Sequence, residues 1–240
     1  MLTKPEFSLI IPCFNEEKAL SLLIPDLRKL NSQVKNLEVV LVDNGSHDGT
    51  RKILESFVAQ NINVLLVVIP NNLGYGNGIL RGVEAATSEV IIWTHSDMQC
   101  DIADVKTAIE LWRTLGGDES VYIKGKRKDR SSVDRGLAFG MSAINYLINR
   151  VYISDLNGQP NMIAKKTLLL LDNIPSDSTF ELYISTVLTR RLKIRVHNFP
   201  VIFDKRFGGI GANQKLVAKL RYILKCVKQS IAIRGSINDN

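Results

Sequence analysis

The chain has 240 residues, of which 45% are hydrophobic and 23% are charged, and it carries a formal net charge of +7 with a pI near 9.3. This composition is typical of a globular protein with room for one large domain, and it excludes a disordered chain or a fibrous repeat. The positive charge favours anionic partners, but without a zinc-finger spacing or an RNA-recognition motif we do not expect nucleic acid among them.

Strands and helices alternate in the first half of the chain. The hydrophobic patterns predict buried strands at residues 7–14, 39–42, 64–69 and 90–93, and helices at residues 16–30, 49–60 and 79–86. Pro25 should kink the first helix, and Asp48 should cap the second. The alternation predicts a mostly parallel sheet with right-handed crossovers.

The second half of the chain is less regular. We expect a strand at 121–125, a basic loop at 126–135, a helix across 137–151, a turn at 155–158, a helix at 180–192 and an extended segment at 194–203. Pro200 should confine that last segment to a sheet edge or a bulge. A basic amphipathic helix follows from Gln214. With no repeat or linker, we expect one α/β domain at residues 1–212, extended by the C-terminal helix at 213–240.

The cysteines and the N-terminal residues indicate the compartment. Cys13, Cys100 and Cys226 lie too far apart to suggest disulfides or a cysteine-based zinc site. The first five residues lead into a strand without a signal-peptide pattern, and the longest aliphatic run is far shorter than the roughly 18 residues of a membrane span. We therefore expect a cytoplasmic protein, and a peripheral position at the inner face of the membrane is left open.

Three polar residues follow the fourth predicted strand at alternate positions: His95, Asp97 and Gln99. In an extended chain their side chains would point the same way. Ligands of open α/β sheets bind at the carboxyl ends of the strands, so an imidazole, a carboxylate and an amide there could hold a divalent cation. The alternative is an ordinary polar loop that leaves the core.

Polar residues also follow the first three strands. The segment Pro12-Cys-Phe-Asn-Glu16 opens a helix whose N-terminus favours anions, and Asp43 could accept hydrogen bonds from a ribose or a base. The glycines of Gly74-Tyr-Gly-Asn-Gly78 permit close approach either to a ligand or between helix and sheet, and we assign Gly74 to the nucleotide site. Neither a P-loop nor a dinucleotide fingerprint is present. Each segment alone also fits ordinary caps and turns.

Taken together and in this order, the four segments resemble the family-2 glycosyltransferases with a GT-A fold. The resemblance covers roughly residues 7–210 and is greatest to the polyprenyl-phosphate sugar transferases, such as the dolichyl-phosphate mannose synthases. It implies that the nucleotide of a nucleoside-diphosphate sugar is held by Pro12, Phe14, Asn15, Glu16 and Asp43. It further implies that His95, Asp97 and Gln99 match an Asp-x-Asp-x-Gln motif, which binds a divalent metal that bridges the diphosphate.

Later segments resemble the acceptor side of the same family. Lys124-Gly-Lys-Arg127 is similar to a Lys-Gly-Ser-Arg segment, and Asp155-Leu-Asn-Gly158 is similar to an Asp-x-x-Ser-Gly-Phe-Arg block. Glu181, the Pro200-Val-Ile-Phe segment and Arg206 match an acidic helix, a strand and an arginine turn. The resemblance predicts acceptor binding by Lys124, Arg127, Asp155 and Arg206, since a guanidinium fork matches phosphate oxygens.

Two departures from the family pattern matter. His95 replaces the first aspartate, and imidazole suits Mn²⁺ or other transition metals better than Mg²⁺. His95 is therefore a metal ligand, a nucleotide contact or a bystander. Gln159-Pro-Asn161 follows Gly158 in place of the family residues, and this departure bears on the acceptor more than on the donor.

The resemblance implies inverting, metal-dependent sugar transfer, with Asp97 holding the catalytic Mn²⁺ or Mg²⁺. A polyprenyl-phosphate acceptor is already an anionic nucleophile, whereas a glycan or small-molecule hydroxyl needs a base. Glu181 is the candidate base and Asp155 the second, although Glu181 fits a structural helix role equally well. A non-catalytic pseudo-glycosyltransferase that only binds nucleotide is the third hypothesis. The basic C-terminal helix fits either an anionic membrane surface or packing against the domain.

Overall fold

A sheet with helices on both faces forms the centre of the molecule. The structure is a computed structural model and describes residues 4–128, 132–203 and 216–238. Within these residues the sheet has seven strands in the order β3-β2-β1-β4-β6-β5-β7. The strands are β1 (Phe7–Cys13), β2 (Leu37–Asn44), β3 (Val64–Ile69), β4 (Val90–Trp93), β5 (Val121–Arg127), β6 (Asn161–Ala164) and β7 (Arg195–Val201).

Eight helices connect or flank these strands in the described part of the chain. They are α1 (Glu17–Gln33), α2 (Thr50–Val58), α3 (Tyr75–Ala85), α4 (Asp104–Thr114), α5 (Ser132–Asn149), α6 (Lys165–Leu169), α7 (Phe180–Arg190) and α8 (Leu216–Asn238). None of the described helices is both long enough and apolar enough to cross a bilayer.

The central strands form because their residues are apolar on both faces. Every residue of β1 and of β2 is buried, which is typical of parallel strands covered by helices on both sides. Leu9 and Ile11 belong to one core cluster and Ile10 belongs to the other, since successive side chains of a strand point to opposite faces. The predicted α/β class with a mostly parallel sheet is confirmed.

One strand runs against the others. β6 pairs antiparallel with both β4 and β5, whereas β5 pairs parallel with β7. As a result, β1, β2, β3, β4, β5 and β7 all end at the same edge of the sheet. The segments that follow the first four strands therefore lie along one edge with the end of β5, as the sequence argument requires.

Several local predictions need correction. The basic loop predicted at 126–135 is much shorter, because β5 continues to Arg127 and α5 begins at Ser132. The helix expected to reach residue 151 ends at Asn149. The residue that caps α2 is Gly49, although Asp48 still accepts the Thr50 N–H at 3.0 Å. The prediction for Pro200 is confirmed, since β7 is an edge strand.

Helix α8 packs against α5 and α7. Its inner face buries Cys226, Ser230 and Ile233, and Asn149 of α5 donates to the Ser230 carbonyl at 3.0 Å. The inner face of α8 therefore packs against the domain, which is one of the two alternatives that the sequence left open for this helix. Cys13, Cys100 and Cys226 are buried free thiols.

Candidate nucleotide, metal and acceptor site

The loops that follow β1 and β2 hold each other through Asn15. Its backbone N–H donates to Ser46 Oγ at 3.1 Å, and its Oδ1 accepts the His47 N–H at 2.8 Å. Asn15 has a φ of +55°, in the left-handed region that asparagine tolerates better than most residues. These contacts fix the loop on which the adjacent Phe14 lies.

The predicted nucleotide residues differ in how much of each side chain is accessible. Phe14 is exposed and meets His47 edge-on, with ring centroids 6.3 Å apart. Glu16 is buried, and its N–H donates to Thr50 Oγ1 at 2.8 Å. Pro12 is buried in β1 beneath Gly78. Phe14 and Asn15 are thus the members of this segment that face solvent.

Asp43 shapes the turn after β2. It is fully buried, its Oδ1 accepts the Ser46 N–H at 3.0 Å, and its Oδ2 accepts Arg51 Nε at 2.7 Å. A carboxylate has about four lone-pair sites, so these two contacts leave it capacity to accept further hydrogen bonds. Its role towards a nucleotide stays a prediction.

The segment Gly74–Gly78, which includes the first turn of α3 and which we call the glycine loop, packs closely against the segment 175–177. Gly74 has a φ of +107°, and a Cβ there would lie 2.5 Å from the Ser176 carbonyl oxygen. A Cβ on Gly76 would lie 2.3 Å from the Pro175 carbonyl oxygen. The Asn77 N–H donates a hydrogen bond to the Ser176 carbonyl oxygen at 2.7 Å. Gly74 and Gly76 thus pack closely against this segment rather than against the sheet, and the approach of Gly74 to a ligand stays a prediction.

The segment after β4 is not extended. β4 ends at Trp93, and Met98 has a φ of +59°. The expectation that His95, Asp97 and Gln99 share a face by strand alternation is therefore wrong. Asp97 and Gln99 come together through a turn instead, in which Asp97 Oδ1 accepts the Gln99 N–H at 3.2 Å.

His95 lies against an aromatic side chain from the glycine loop. Its ring stacks on Tyr75, with centroids 5.0 Å apart and an interplanar angle of 28°. Tyr75 also accepts a hydrogen bond from Gln159 Nε2 at 3.1 Å, and burial, reinforced by Glu181 and Asp97, raises its pKa well above the usual value. Sequence reasoning missed Tyr75, and the aromatic residue between two glycines was the available signal.

The donor atoms near Asp97 suit a divalent metal that is only partly bound by protein. Within the described residues no cluster of three or more His, Cys, Asp or Glu side chains could hold a metal ion. The Asp97 carboxylate and the Gln99 amide are, however, oxygen donors of the kind that Mg²⁺ and Mn²⁺ accept. The chemistry of these two side chains therefore fits a divalent cation, which they would hold only in part.

Lys124 and Glu181 lie together in the interior. Lys124 Nζ donates to Glu181 Oε2 at 3.3 Å, to Asn161 Oδ1 at 3.0 Å and to the Gly158 carbonyl at 3.2 Å. Glu181 Oε1 accepts Trp93 Nε1 and Gln159 Nε2, each at 2.7 Å. We call these residues the Lys124–Glu181 network. Glu181, the predicted base, and Lys124, a predicted acceptor residue, are thus both hydrogen-bonded to buried groups.

Arg127 and Asp155 form a bidentate ion pair. Arg127 Nε and Nη2 lie 2.8 and 2.5 Å from the two carboxylate oxygens, and the Arg127 N–H donates to Asp155 Oδ2 at 3.0 Å. The guanidinium also lies 4.7 Å from the ring centroid of Phe203. The structure thus brings two predicted acceptor residues together, while Arg206 lies outside the described residues.

Comparison with known proteins supports the same assignment. The model of the family described as glycosyl transferase family 2 matches residues 8–152. An undecaprenyl-phosphate 4-deoxy-4-formamido-L-arabinose transferase of Pseudomonas fluorescens is 31% identical over 127 residues, which are 51% of this chain and 36% of that protein. A prophage bactoprenol glucosyl transferase homolog of Escherichia coli is 29% identical over 131 residues, or 54% and 42% of the two chains. The matched region is thus less than half of either relative.

Solved structures share the fold over nearly the whole chain. Glucosyl-3-phosphoglycerate synthase of Mycobacterium tuberculosis, in complex with Mn²⁺, UDP-glucose and phosphoglyceric acid, gives a TM-score of 0.72 at 17% identity and covers 97% of this chain and 80% of that one. A mannosyltransferase of Pyrobaculum calidifontis, in complex with GDP-Man and Mn²⁺, gives 0.62 at 15% identity, with 98% and 74% covered. These likenesses confirm the GT-A fold, and the family match confirms the resemblance: the chain belongs to glycosyl transferase family 2.

Proposed function

We propose that this chain transfers a sugar from a nucleoside-diphosphate sugar to a polyprenyl phosphate at a membrane surface, with inversion and with a divalent metal. The observation that carries the donor side of this proposal is that Asn15, Asp43 and Asp97 lie at or just after the ends of β1, β2 and β4, which are neighbouring strands that end at one edge of the sheet. The names of the matched relatives, which are undecaprenyl-phosphate and bactoprenol sugar transferases, support the acceptor class.

The two candidate bases favour a phosphate acceptor. Glu181 is buried and accepts hydrogen bonds from Trp93, Gln159 and Lys124, and Asp155 is paired with Arg127. A hydroxyl acceptor needs a carboxylate within hydrogen-bond reach, whereas a phosphate monoester attacks as an anion. The engagement of both carboxylates therefore supports an acceptor that requires no general base.

On the donor side, Asp97 and Gln99 would hold the metal, which would neutralise the charge of the departing diphosphate. Phe14 and Asn15 offer exposed surface beside the end of β2, where a nucleoside would lie. Asp43 keeps the adjoining turn in shape through its bonds to Ser46 and Arg51. The protein's part on this side is to fix the donor in one orientation.

On the acceptor side, Arg127 is the residue that would grip the phosphate. Arginine has five N–H donors, and Asp155 takes one from Nε and one from Nη2. The remaining N–H donors are enough to bind an oxyanion, and the ion pair with Asp155 fixes the plane of the guanidinium. Such a preorganised fork loses little rotamer freedom when it binds.

Helix α8 supplies a surface suited to lipid. Leu220, Leu224 and Ile231 are 53%, 62% and 58% exposed and recur at helical spacing. We call these three residues the outer stripe, and basic residues such as Arg221 and Lys228 flank it. An amphipathic helix of this kind binds anionic membrane surfaces. We therefore place the protein on the cytoplasmic face of a membrane, next to its acceptor.

The test is transfer of radiolabelled sugar from a panel of UDP- and GDP-sugars, with native membranes and Mn²⁺. We expect label to pass into an organic-solvent extract, as a lipid-linked product does. Label that stays in a water-soluble glycan would favour the hydroxyl acceptor. Calorimetric binding of UDP or GDP without turnover on any donor would favour the non-catalytic alternative.

A further inference from the structure

Helix α8 contacts two loops of the candidate site through its inner side. Lys225 Nζ lies 2.8 Å from Asp177 Oδ2, and Tyr222 donates its hydroxyl hydrogen to Asn157 Oδ1 at 3.1 Å. The two residues are three positions apart and therefore occupy neighbouring positions on one side of the helix. One helix thus reaches a loop on the donor side and a turn on the acceptor side.

The loop that Lys225 holds supports the glycine loop. Asp177 follows Ser176, whose carbonyl accepts the Asn77 N–H and would lie 2.5 Å from a Cβ on Gly74. Asp177 Oδ1 accepts both the N–H and the hydroxyl of Thr179 at 2.7 Å. Burial raises the pKa of the Asp177 carboxyl, but hydrogen bonds from Thr179 and Lys225 outweigh it and hold that pKa below its usual value.

The turn that Tyr222 holds carries the partner of Arg127. Asn157 lies between Asp155, which binds the guanidinium, and Gly158, whose carbonyl accepts Lys124 Nζ. Tyr222 is partly buried, and burial raises the pKa of its hydroxyl far above the usual range. The hydroxyl therefore stays a neutral donor to Asn157 at every physiological pH.

We propose that Tyr222 and Lys225 are positioning residues of the site. Lys225 holds the loop at residues 175–177 in place through Asp177, and Tyr222 holds the turn at residues 155–158 in place through Asn157. This inference rests on the proposed function and deepens it. In this proposal, α8 positions two loops of the site with one side and presents the outer stripe on another. Neither side chain touches a reacting group, so each acts through the loop that it holds.

The proposal predicts separate effects of the two residues. Lys225→Met should weaken binding of UDP or GDP with Mn²⁺ by about tenfold, because a misplacement of about 1 Å costs roughly a hundredfold and the loop should move by less. It should leave the KM for a polyprenyl phosphate in detergent unchanged. Tyr222→Phe should raise that acceptor KM by about tenfold and leave nucleotide affinity unchanged. Lys225→Arg keeps the ion pair and should restore wild-type affinity.

Matched controls come from exposed helix positions outside the site. Lys106→Met removes an equal charge from the exposed side of α4, and Tyr146→Phe removes a hydroxyl from an exposed tyrosine of α5. Both should match the wild-type chain. Calorimetry, steady-state kinetics and thermal unfolding of the full chain give the three readouts.

The possible failures are distinguishable. A wild-type chain that binds neither nucleotide refutes the proposed function and this inference with it. If the wild type binds and Lys225→Met binds equally well, the inference alone is overturned. It is also overturned if both variants lose donor and acceptor binding together with a lower unfolding midpoint, because that pattern indicates general support of the fold.

Discussion

Lys124 Nζ and Glu181 Oε2 form an ion pair at 3.3 Å in which the Lys124 side chain is fully buried and that of Glu181 nearly so. Burial of two charges is tolerated because each is surrounded by hydrogen-bond partners, including Trp93 and Asn161. Such a pair contributes little net stability when intact, but its disruption leaves an uncompensated buried charge.

Removal of one partner should therefore cost stability. Glu181→Gln is expected to lower the free energy of unfolding by about 3 kcal/mol, since Lys124 loses its counter-charge inside the protein. Urea unfolding followed by circular dichroism measures the change. Glu181→Gln that keeps full stability and loses turnover would contradict the structural role and favour Glu181 as the base.

Asp97→Asn should abolish metal-dependent nucleotide binding and reduce transfer by at least about a hundredfold, because loss of a metal ligand removes charge stabilisation of the leaving group. Its thermal unfolding midpoint should stay close to that of the wild type. Asp101→Asn is the matched control, since Asp101 is an exposed carboxylate four residues further on. Chelation of the metal should reproduce the Asp97 variant, and equal turnover with and without chelator would contradict metal dependence.

Gly74→Ala should cost more than the strain of its backbone conformation. Gly74 and Gly116 both have positive φ values, +107° and +85°, but a Cβ on Gly116 would meet nothing within 4 Å. Gly116→Ala should therefore cost only about 1 kcal/mol of strain, whereas Gly74→Ala must also displace the Ser176 carbonyl. We expect a larger loss of stability together with weaker nucleotide binding in the Gly74 variant. Equal effects of the two substitutions on stability would contradict the close packing described above.

Asp104 predicts a pH dependence of stability. Burial, with a smaller contribution from Asp101, raises its carboxyl pKa from 3.8 to about 6. The folded state therefore binds the proton more tightly than the unfolded state, so this contribution to stability is complete below pH 3.8 and is lost as the pH rises through about 6. Asp104→Asn should stabilise the protein by about 1 kcal/mol at pH 8, after a discount for its half-exposed position.

The Asp104 prediction is checked by thermal unfolding of both proteins at acidic and alkaline pH. The gain of the Asn variant should shrink as the pH falls through about 6, where the folded wild-type carboxyl takes up its proton, and should vanish below pH 3.8, where the unfolded carboxyl is protonated as well. A gain of the same size across the range would show that the charge of Asp104 does not cause it.

The first four strands were predictable because their signal is local. β1 and β2 each contain a run of at least three aliphatic residues, and both faces of each strand are covered. β6 escapes sequence prediction because it has four residues and includes Asn161, a buried polar residue whose partners include Tyr122 and Lys124, nearly forty positions away. Helix α4 is also absent from the sequence prediction, although Val105, Ala108, Ile109 and Trp112 give it a buried helical stripe.

The candidate site was predictable in part for a similar reason. The order of the donor segments along the chain is enough to bring them to one edge of the sheet. The burial of Lys124 is not, because its charge is compensated by a residue 57 positions away. The pairing of Arg127 with Asp155 likewise spans 28 positions. The residues next to a charged residue in the sequence do not reveal that a distant residue will pair with it and allow its burial.

The short antiparallel strand β6 has a consequence for how the two parts of the sheet hold together. β1 to β4 pair among themselves, β5 pairs with β7, and β6 joins the two sets from Asn161 to Ala164. Within the described sheet, the backbone hydrogen bonds between these two sets of strands all involve four residues, so a substitution that disrupts β6 would weaken the joint between the sets more than the pairing within either set.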